Sequence, residues 1–323
     1  MELPEGGVEQ FWMAPDGWPI RRIDLAPRHH ARGSLLFMPG RGDFYEKYLE
    51  SLEEWRDAGW HVTSLDWRGQ AGSGRLGMDD STGHVDDFSV WIEDLAAFWR
   101  EWRVEQAGRG ERPGPVALIG HSMGGHLALR ALAQGRVDPD ALVLSAPMLG
   151  FAAGGAPFWS QKALGWAMLK LGDARRPAWS GGEKPASSLH ARKGLLTHDA
   201  RRYQQEMDWR AARPELAMGP ASWGWMAAGL RSMETFMAPG VLERVETPVL
   251  ILSTAADGLV CHRANLKAAQ RLPHGEIMSF GPEAAHEILR EVDAVRAPAM
   301  ARIEAFLGEH VALPIRSDLT RAL

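Results

Sequence analysis

An apolar run at 116–121 (VALIGH) leads without a gap into Gly120-His121-Ser122-Met123-Gly124-Gly125, and a helix-forming stretch (MGGHLALRALAQ) leads out. That pattern asks for a buried strand, a sharp turn and a helix, in that order. Gly120 and Gly124 stand two residues either side of the serine, where side chains would collide across the turn. Ser122 is therefore expected in a strained backbone conformation that lifts its hydroxyl clear of the sheet. It also sits at a helix N-terminus, whose free N–H groups and dipole favour nearby negative charge. The paired glycines do not make a phosphate loop, because no G-x-x-x-x-G-K-[ST] pattern is present.

Short apolar runs recur along the chain and alternate with helical patterns. Strands are expected at 34–38 (SLLFM), 61–67 (HVTSLDW), 116–121, 141–147 (ALVLSAP), 248–254 (PVLILST) and 276–280 (EIMSF). Several are apolar throughout, as strands buried on both faces are. Residues 10–13 and 20–25 flank Asp16-Gly17 and read as an N-terminal hairpin. Helices are expected at 44–58, 85–105, 123–134 and 294–307. Together these describe an α/β fold, with a mostly parallel central sheet and helices on both faces. Between 150 and 240 the alternation breaks. This Gly-, Pro-, Trp- and Met-rich stretch carries helical patterns at 158–171, 198–211 and 223–236. It is read as a helical cap inserted between two parts of one core, 1–149 and 241–323.

Composition excludes some roles. The net charge of -5 argues against nucleic acid as a partner. The lone Cys261 allows no intrachain disulfide. The acidic start, MELPEGGVEQ, has no apolar core, and no apolar run approaches the roughly 18 residues a membrane span needs. A cytoplasmic protein is expected. No H-E-x-x-H or comparable spacing is present, so neither a metal nor a cofactor is expected.

A serine hydroxyl is a poor nucleophile unless a base takes its proton and a third group holds that base in the right tautomer. On α/β sheets such groups follow in the order Ser, Asp or Glu, His. Asp257 lies just past the C-terminal end of the strand at 248–254, the edge where open α/β sheets bind ligands. His286 lies in the loop after the last strand. Among the other histidines, His121 precedes the serine and is expected to point away from the site. An oxyanion also needs preorganised donors. The Met123 N–H is expected to supply one. The Gly-rich loop Pro39-Gly40-Arg41-Gly42-Asp43 is expected to supply the second, from Arg41 N–H.

These pieces resemble the α/β-hydrolase superfamily, and within it the lysophospholipase and monoacylglycerol lipase-like group. The likeness rests on PGRGDFYEKY from Pro39, LDWRGQAGSG from Leu65, GHSMGG from Gly120, the Asp257 loop and HEILRE from His286. THDARRYQQEMDW from Thr197 and the WGW at 223–225 extend it into the cap. Ser122, Asp257 and His286 each fall on the family's triad positions. The resemblance implies hydrolysis of fatty acyl carboxylic esters and a mobile cap that shapes the acyl pocket. The chain departs from it with Pro39-Gly40 where relatives often carry His-Gly, and with Gln70-Ala71 where many carry a second glycine.

The cap bears on substrate. Tryptophan and methionine are concentrated in it, which suits an acyl pocket or transient contact with a membrane surface. Its excess of Lys and Arg, at Arg175-Arg176, Arg192-Lys193 and Arg201-Arg202, is expected to attract a phosphate head group. Thioesterase, perhydrolase and carbon–carbon hydrolase chemistry share the same triad and stay open, as does a non-catalytic binding role. Oligomeric state is left open.

Overall fold

The structure is a computed structural model, and it describes residues 2–108, 114–152, 156–182 and 188–311. The expected core segment to 323 therefore runs past the described residues.

Eight strands form one sheet: β1 (Gly7–Met13), β2 (Pro19–Leu25), β3 (Gly33–Met38), β4 (Trp60–Leu65), β5 (Val116–His121), β6 (Ala141–Ser145), β7 (Val249–Thr254) and β8 (Gly275–Phe280). Their order is β1-β2-β4-β3-β5-β6-β7-β8. β1 pairs antiparallel with β2, and β2 with β4; every later pairing is parallel. β3, β5, β6 and β7 are buried at every residue, which is why they read as unbroken apolar runs. The hairpin turns where expected: Gly17, at φ 84, donates to Ala14 O at 2.7 Å.

Helices α1 (Leu49–Asp57), α2 (Ser89–Ala107), α3 (Met123–Ala133), α8 (His262–Arg271) and α9 (Asp293–His310) accompany the sheet. The helix expected from residue 44 begins instead as a short 3-10 turn, Tyr45–Tyr48. Buried Trp55, Trp91, Trp99 and Trp102 fill much of the core under α1 and α2. Trp91, Trp99 and Trp102 each direct the indole N–H to a partner, Arg68 O, Asp138 and Thr63, as buried tryptophans usually do.

Residues 150–240 lie between β6 and β7 and carry α4 (Phe158–Lys170), α5 (Leu189–Leu196), α6 (Ala200–Ala212) and α7 (Trp223–Phe236). Ser188, Asp199 and Ser222 cap the last three through side-chain oxygens. No helix among the described residues is long and apolar enough to cross a membrane.

A buried ionic cluster holds α6 to the core. Glu206 on α6 is fully buried and accepts from Arg192, from Arg210 at 3.0 Å and from Arg290 at 2.9 Å, with Lys47 Nζ at 3.3 Å. Lys47 in turn donates to Asp43 at 2.6 Å and Glu287 at 2.7 Å. Burial alone would raise the Glu206 pKa, but Lys47, Arg210, Arg290 and Arg192 outweigh it and hold the carboxyl well below 4.5. Removing one member of such a cluster strands the opposite charges and costs about 3–5 kcal/mol. Glu206→Gln is therefore expected to lower the urea midpoint by that equivalent. Because the folded-state pKa is depressed, the Glu206 contribution is present above 4.5 and is lost as pH falls below it. Urea titrations from pH 7 to pH 3 check this: the gap between wild type and Glu206→Gln should narrow below about pH 4.5.

Candidate active site

The C-terminal edge of the sheet assembles the site. β5 ends in Ser122, which adopts φ 51 and ψ -116, the strained turn expected of it. Backbone bonds hold the turn: Ser122 N–H donates to Ser145 O at 2.9 Å, and Ser122 O accepts from His126 and Met148 N–H, each at 3.0 Å. The flanking glycines are needed by contact. A Cβ at Gly120 would stand 2.7 Å from the Gly125 backbone, and one at Gly124 would stand 2.3 Å from Met38 O.

β7 delivers Asp257 and β8 delivers the loop bearing His286. Thr254 ties the two together by donating to Ala284 O at 2.7 Å. His286 Nδ1 lies 2.7 Å from Asp257 Oδ2, and His286 Nε2 lies 2.9 Å from Ser122 Oγ. With the proton on Nδ1, His286 donates to Asp257 and accepts from the serine hydroxyl. Asp257 Oδ1 accepts from Leu259 N–H at 2.8 Å and Val260 N–H at 3.0 Å. Burial would raise the Asp257 pKa, but the charge and hydrogen bond of His286 and those two N–H groups hold it below 3.8. The carboxylate is therefore ionised at neutral pH and fixed at both oxygens.

The loop after β3 closes against the serine. A Cβ on Gly40 would come within 3.0 Å of Ser122 Cβ. Gly40 N–H donates to Asp43 Oδ2 at 3.0 Å, Gly42 N–H donates to Gln70 Oε1 at 2.7 Å, and Pro39 O accepts from Trp67 Nε1 at 2.7 Å. Gly42 itself takes φ 71. Arg41 thus stands between two amides already committed to pinning the loop. Met123, as the first residue of α3, has an N–H without an intrahelical acceptor.

Several positioning residues escape the sequence reading. Asp43 takes bonds from Gly40, Lys47 and Tyr48 and so braces the loop from below. Gln70 bridges the loop to the Met123 sulfur. The Pro39–Asp43 loop carried no hint of Lys47, Tyr48 or Gln70 as partners, since they lie outside it.

His121 corrects an expectation. Its ring does not turn away from the site but packs on His286, with ring centroids 4.9 Å apart, and its Nδ1 donates to Ser145 O at 3.1 Å. Burial, then the charge of His286, pushes its pKa down to about 3, so it stays neutral. The neutral ring supports His286 without competing for the proton.

Above the serine lies a cavity of about 300 Å³ lined by Ser122 and His286 and otherwise mostly by apolar side chains, among them Met148, Phe151, Leu164, Trp223, Leu230 and Val260. The arginine pairs expected to draw a phosphate do not line it. Arg175 binds Asp173, Arg176 binds Asp173 O and Met168 O, Arg192 binds Glu206, and Arg202 binds Glu50 and Asp293. The insertion also meets the site. His286 N–H donates to Leu195 O at 3.3 Å and Glu287 N–H to Leu196 O at 2.8 Å, so the end of α5 is bonded directly to the histidine loop.

The sequence profile of the family described as serine aminopeptidase, S33 matches residues 29–293. The chain is 30% identical over 322 residues to lysophospholipase L2 of Escherichia coli (strain K12), a match covering 94% of this chain and 91% of that protein. It is 26% identical over 228 residues to phospholipase YtpA of Bacillus subtilis (strain 168), covering 70% and 76% respectively. Its fold is similar to that of a soluble variant of monoglyceride lipase from Saccharomyces cerevisiae, with TM-score 0.76, 17% identity and 97% of each chain covered.

Proposed function

The chain belongs to the serine aminopeptidase S33 family of α/β-hydrolases, and on that premise we propose that it hydrolyses carboxylic esters of fatty acyl lipids, lysophospholipids or monoacylglycerols, through an acyl-enzyme on Ser122. The observation that carries this reading is the hydrogen-bonded line Ser122–His286–Asp257 at the floor of an apolar cavity. In this reading residues 150–240 act as a cap on a core made by 1–149 and 241–323.

The chemistry follows from the contacts. Ser122 Oγ attacks the ester carbonyl carbon as its proton passes to His286 Nε2. Asp257 stabilises the imidazolium that results. The carbonyl electrons move onto oxygen, and the N–H groups of Met123 and Arg41 receive that charge. Collapse breaks the bond to the alcohol oxygen, which leaves with the proton from His286. Water then attacks the acyl-serine with His286 as base, releasing the fatty acid and restoring the hydroxyl. No step calls for a metal or cofactor.

The family description names a peptidase, but the cavity favours esters. An aminopeptidase must hold a substrate ammonium, and no Asp or Glu lines this cavity among the described residues. The lysophospholipase and phospholipase relatives support a lipid substrate.

The cap supports transient contact with a lipid surface. On α4, Trp159 is 72% exposed and Trp166 65%, seven residues apart and so on one face. Leu164 of the same helix lines the cavity, so a surface that receives the tryptophans lies beside the cavity's own wall. The lone Cys261 fits the cytoplasm as the compartment.

One assay tests both parts. Wild type should cleave a long-chain lysophospholipid and a monoacylglycerol faster than an acyl-CoA or a peptide anilide. Faster turnover of the thioester or the peptide would sink the ester reading. The Trp159→Ser/Trp166→Ser double variant should lose roughly tenfold in activity on substrate in vesicles while keeping its activity on a dissolved short ester. Equal loss on both would remove the surface contact.

A further inference from the structure

Arg41 enters the sequence reading only through its backbone, yet it lines the same cavity as Ser122 and His286, and its guanidinium lies against Trp179 and Trp225, which line that cavity too. A buried arginine needs compensation. Here Nη2 donates to Gly219 O at 2.9 Å, and the guanidinium carbon lies 5.5 Å from the Trp179 ring centroid and 5.3 Å from that of Trp225. Two indoles and a carbonyl hold the planar group in one orientation. Gly83 makes room for it, because a Cβ there would meet Nη2 at 2.7 Å.

Among the described residues lining the cavity, Arg41 is the one permanently charged side chain. An acyl chain gains nothing from a fixed cation. A substrate with an anion a few atoms from its ester does. Arg175, Arg176, Arg192 and Arg202 of the cap do not line the cavity, so its positive charge comes from the loop beside the nucleophile.

We propose that Arg41 is a specificity-determining residue that binds the phosphodiester oxygens of a lysophospholipid head group and so favours that substrate over a neutral monoacylglycerol. This rests on the ester-hydrolase reading above. Guanidinium suits the purpose because its N–H groups form a rigid fork matched to phosphate oxygens. The indoles on Arg41 limit its freedom, so the cation is oriented before substrate arrives.

The test is a ratio. kcat/KM is measured for a lysophosphatidylethanolamine and for a monoacylglycerol of the same acyl chain, in wild type, Arg41→Lys and Arg41→Gln. The ratio of the first to the second should fall at least about tenfold in Arg41→Gln, with Arg41→Lys between the two. Glycerol 3-phosphate should inhibit wild type competitively and Arg41→Gln more weakly. A side chain that only braces the Gly83 and Gly219 loops would lower both substrates by one factor; an unchanged ratio overturns the proposal. If wild type cleaves monoacylglycerol but no lysophospholipid, the Arg41 proposal fails and the ester reading stands. If it cleaves neither, both fail.

Discussion

Ser122→Ala lowers kcat on every ester by roughly a million-fold, about 8 kcal/mol of transition-state stabilisation. The size follows from what the substitution removes. Without Oγ there is no acyl-enzyme, and His286 has no proton to take from the side chain. What remains is the set of N–H donors and the apolar cavity, which still bind an ester but act only on bulk water. Stability should change little, because the turn is held by backbone bonds: Ser122 N–H to Ser145 O, and Ser122 O from His126 and Met148. Alanine keeps all of them, along with the positive φ that serine already bears. Steady-state kinetics beside a urea titration check the pair of results. A dead but normally stable variant is expected; one that loses activity and stability together assigns Ser122 a structural role.

Asp257→Asn lowers kcat by roughly ten-thousand-fold. The amide is nearly isosteric, so the cause is its hydrogen-bond polarity. Asp257 Oδ1 accepts from Leu259 and Val260 N–H groups, and Oδ2 faces His286 Nδ1 at 2.7 Å. In the variant the amide oxygen must stay on the Leu259 and Val260 side to satisfy those donors. The NH2 group then faces His286 and forces Nδ1 to accept. The imidazole carries its proton on Nε2, where it cannot act as base toward Ser122. A Nδ1-protonated imidazole in the variant, seen by nitrogen NMR, together with near-normal kcat, would contradict this reasoning.

What could be seen in the sequence was the part governed by short-range pattern. β3, β5, β6 and β7 are buried on both faces and advertise themselves as apolar runs. The strand–turn–helix at Ser122 and the placement of Asp257 and His286 after later strands follow from that same regularity. The charges were not legible. Lys47, Glu206 and the Glu287–Arg290 pair come from three separate stretches and look like ordinary solvated residues until the fold brings them together in the interior. α5 was missed because it is short and carries Gly194, ending in the bonds that Leu195 and Leu196 make to the histidine loop. His121 was misjudged because its side-chain direction at the end of β5, just before the strained turn, depends on Tyr48 and His286, which pack on its ring. Arg41 illustrates the same limit. A Gly-Arg-Gly loop predicts a backbone donor near the serine, but only Trp179 and Trp225 show where the guanidinium goes.

The most direct measurement is covalent labelling of the native protein with a serine-directed fluorophosphonate, read by intact mass and peptide mapping. Wild type should gain one adduct, on the peptide containing Ser122, while Ser122→Ala gains none and His286→Ala reacts far more slowly. A folded wild type that takes no label, or takes it on another residue, would contradict the assignment of Ser122 as nucleophile and of the protein as a serine hydrolase.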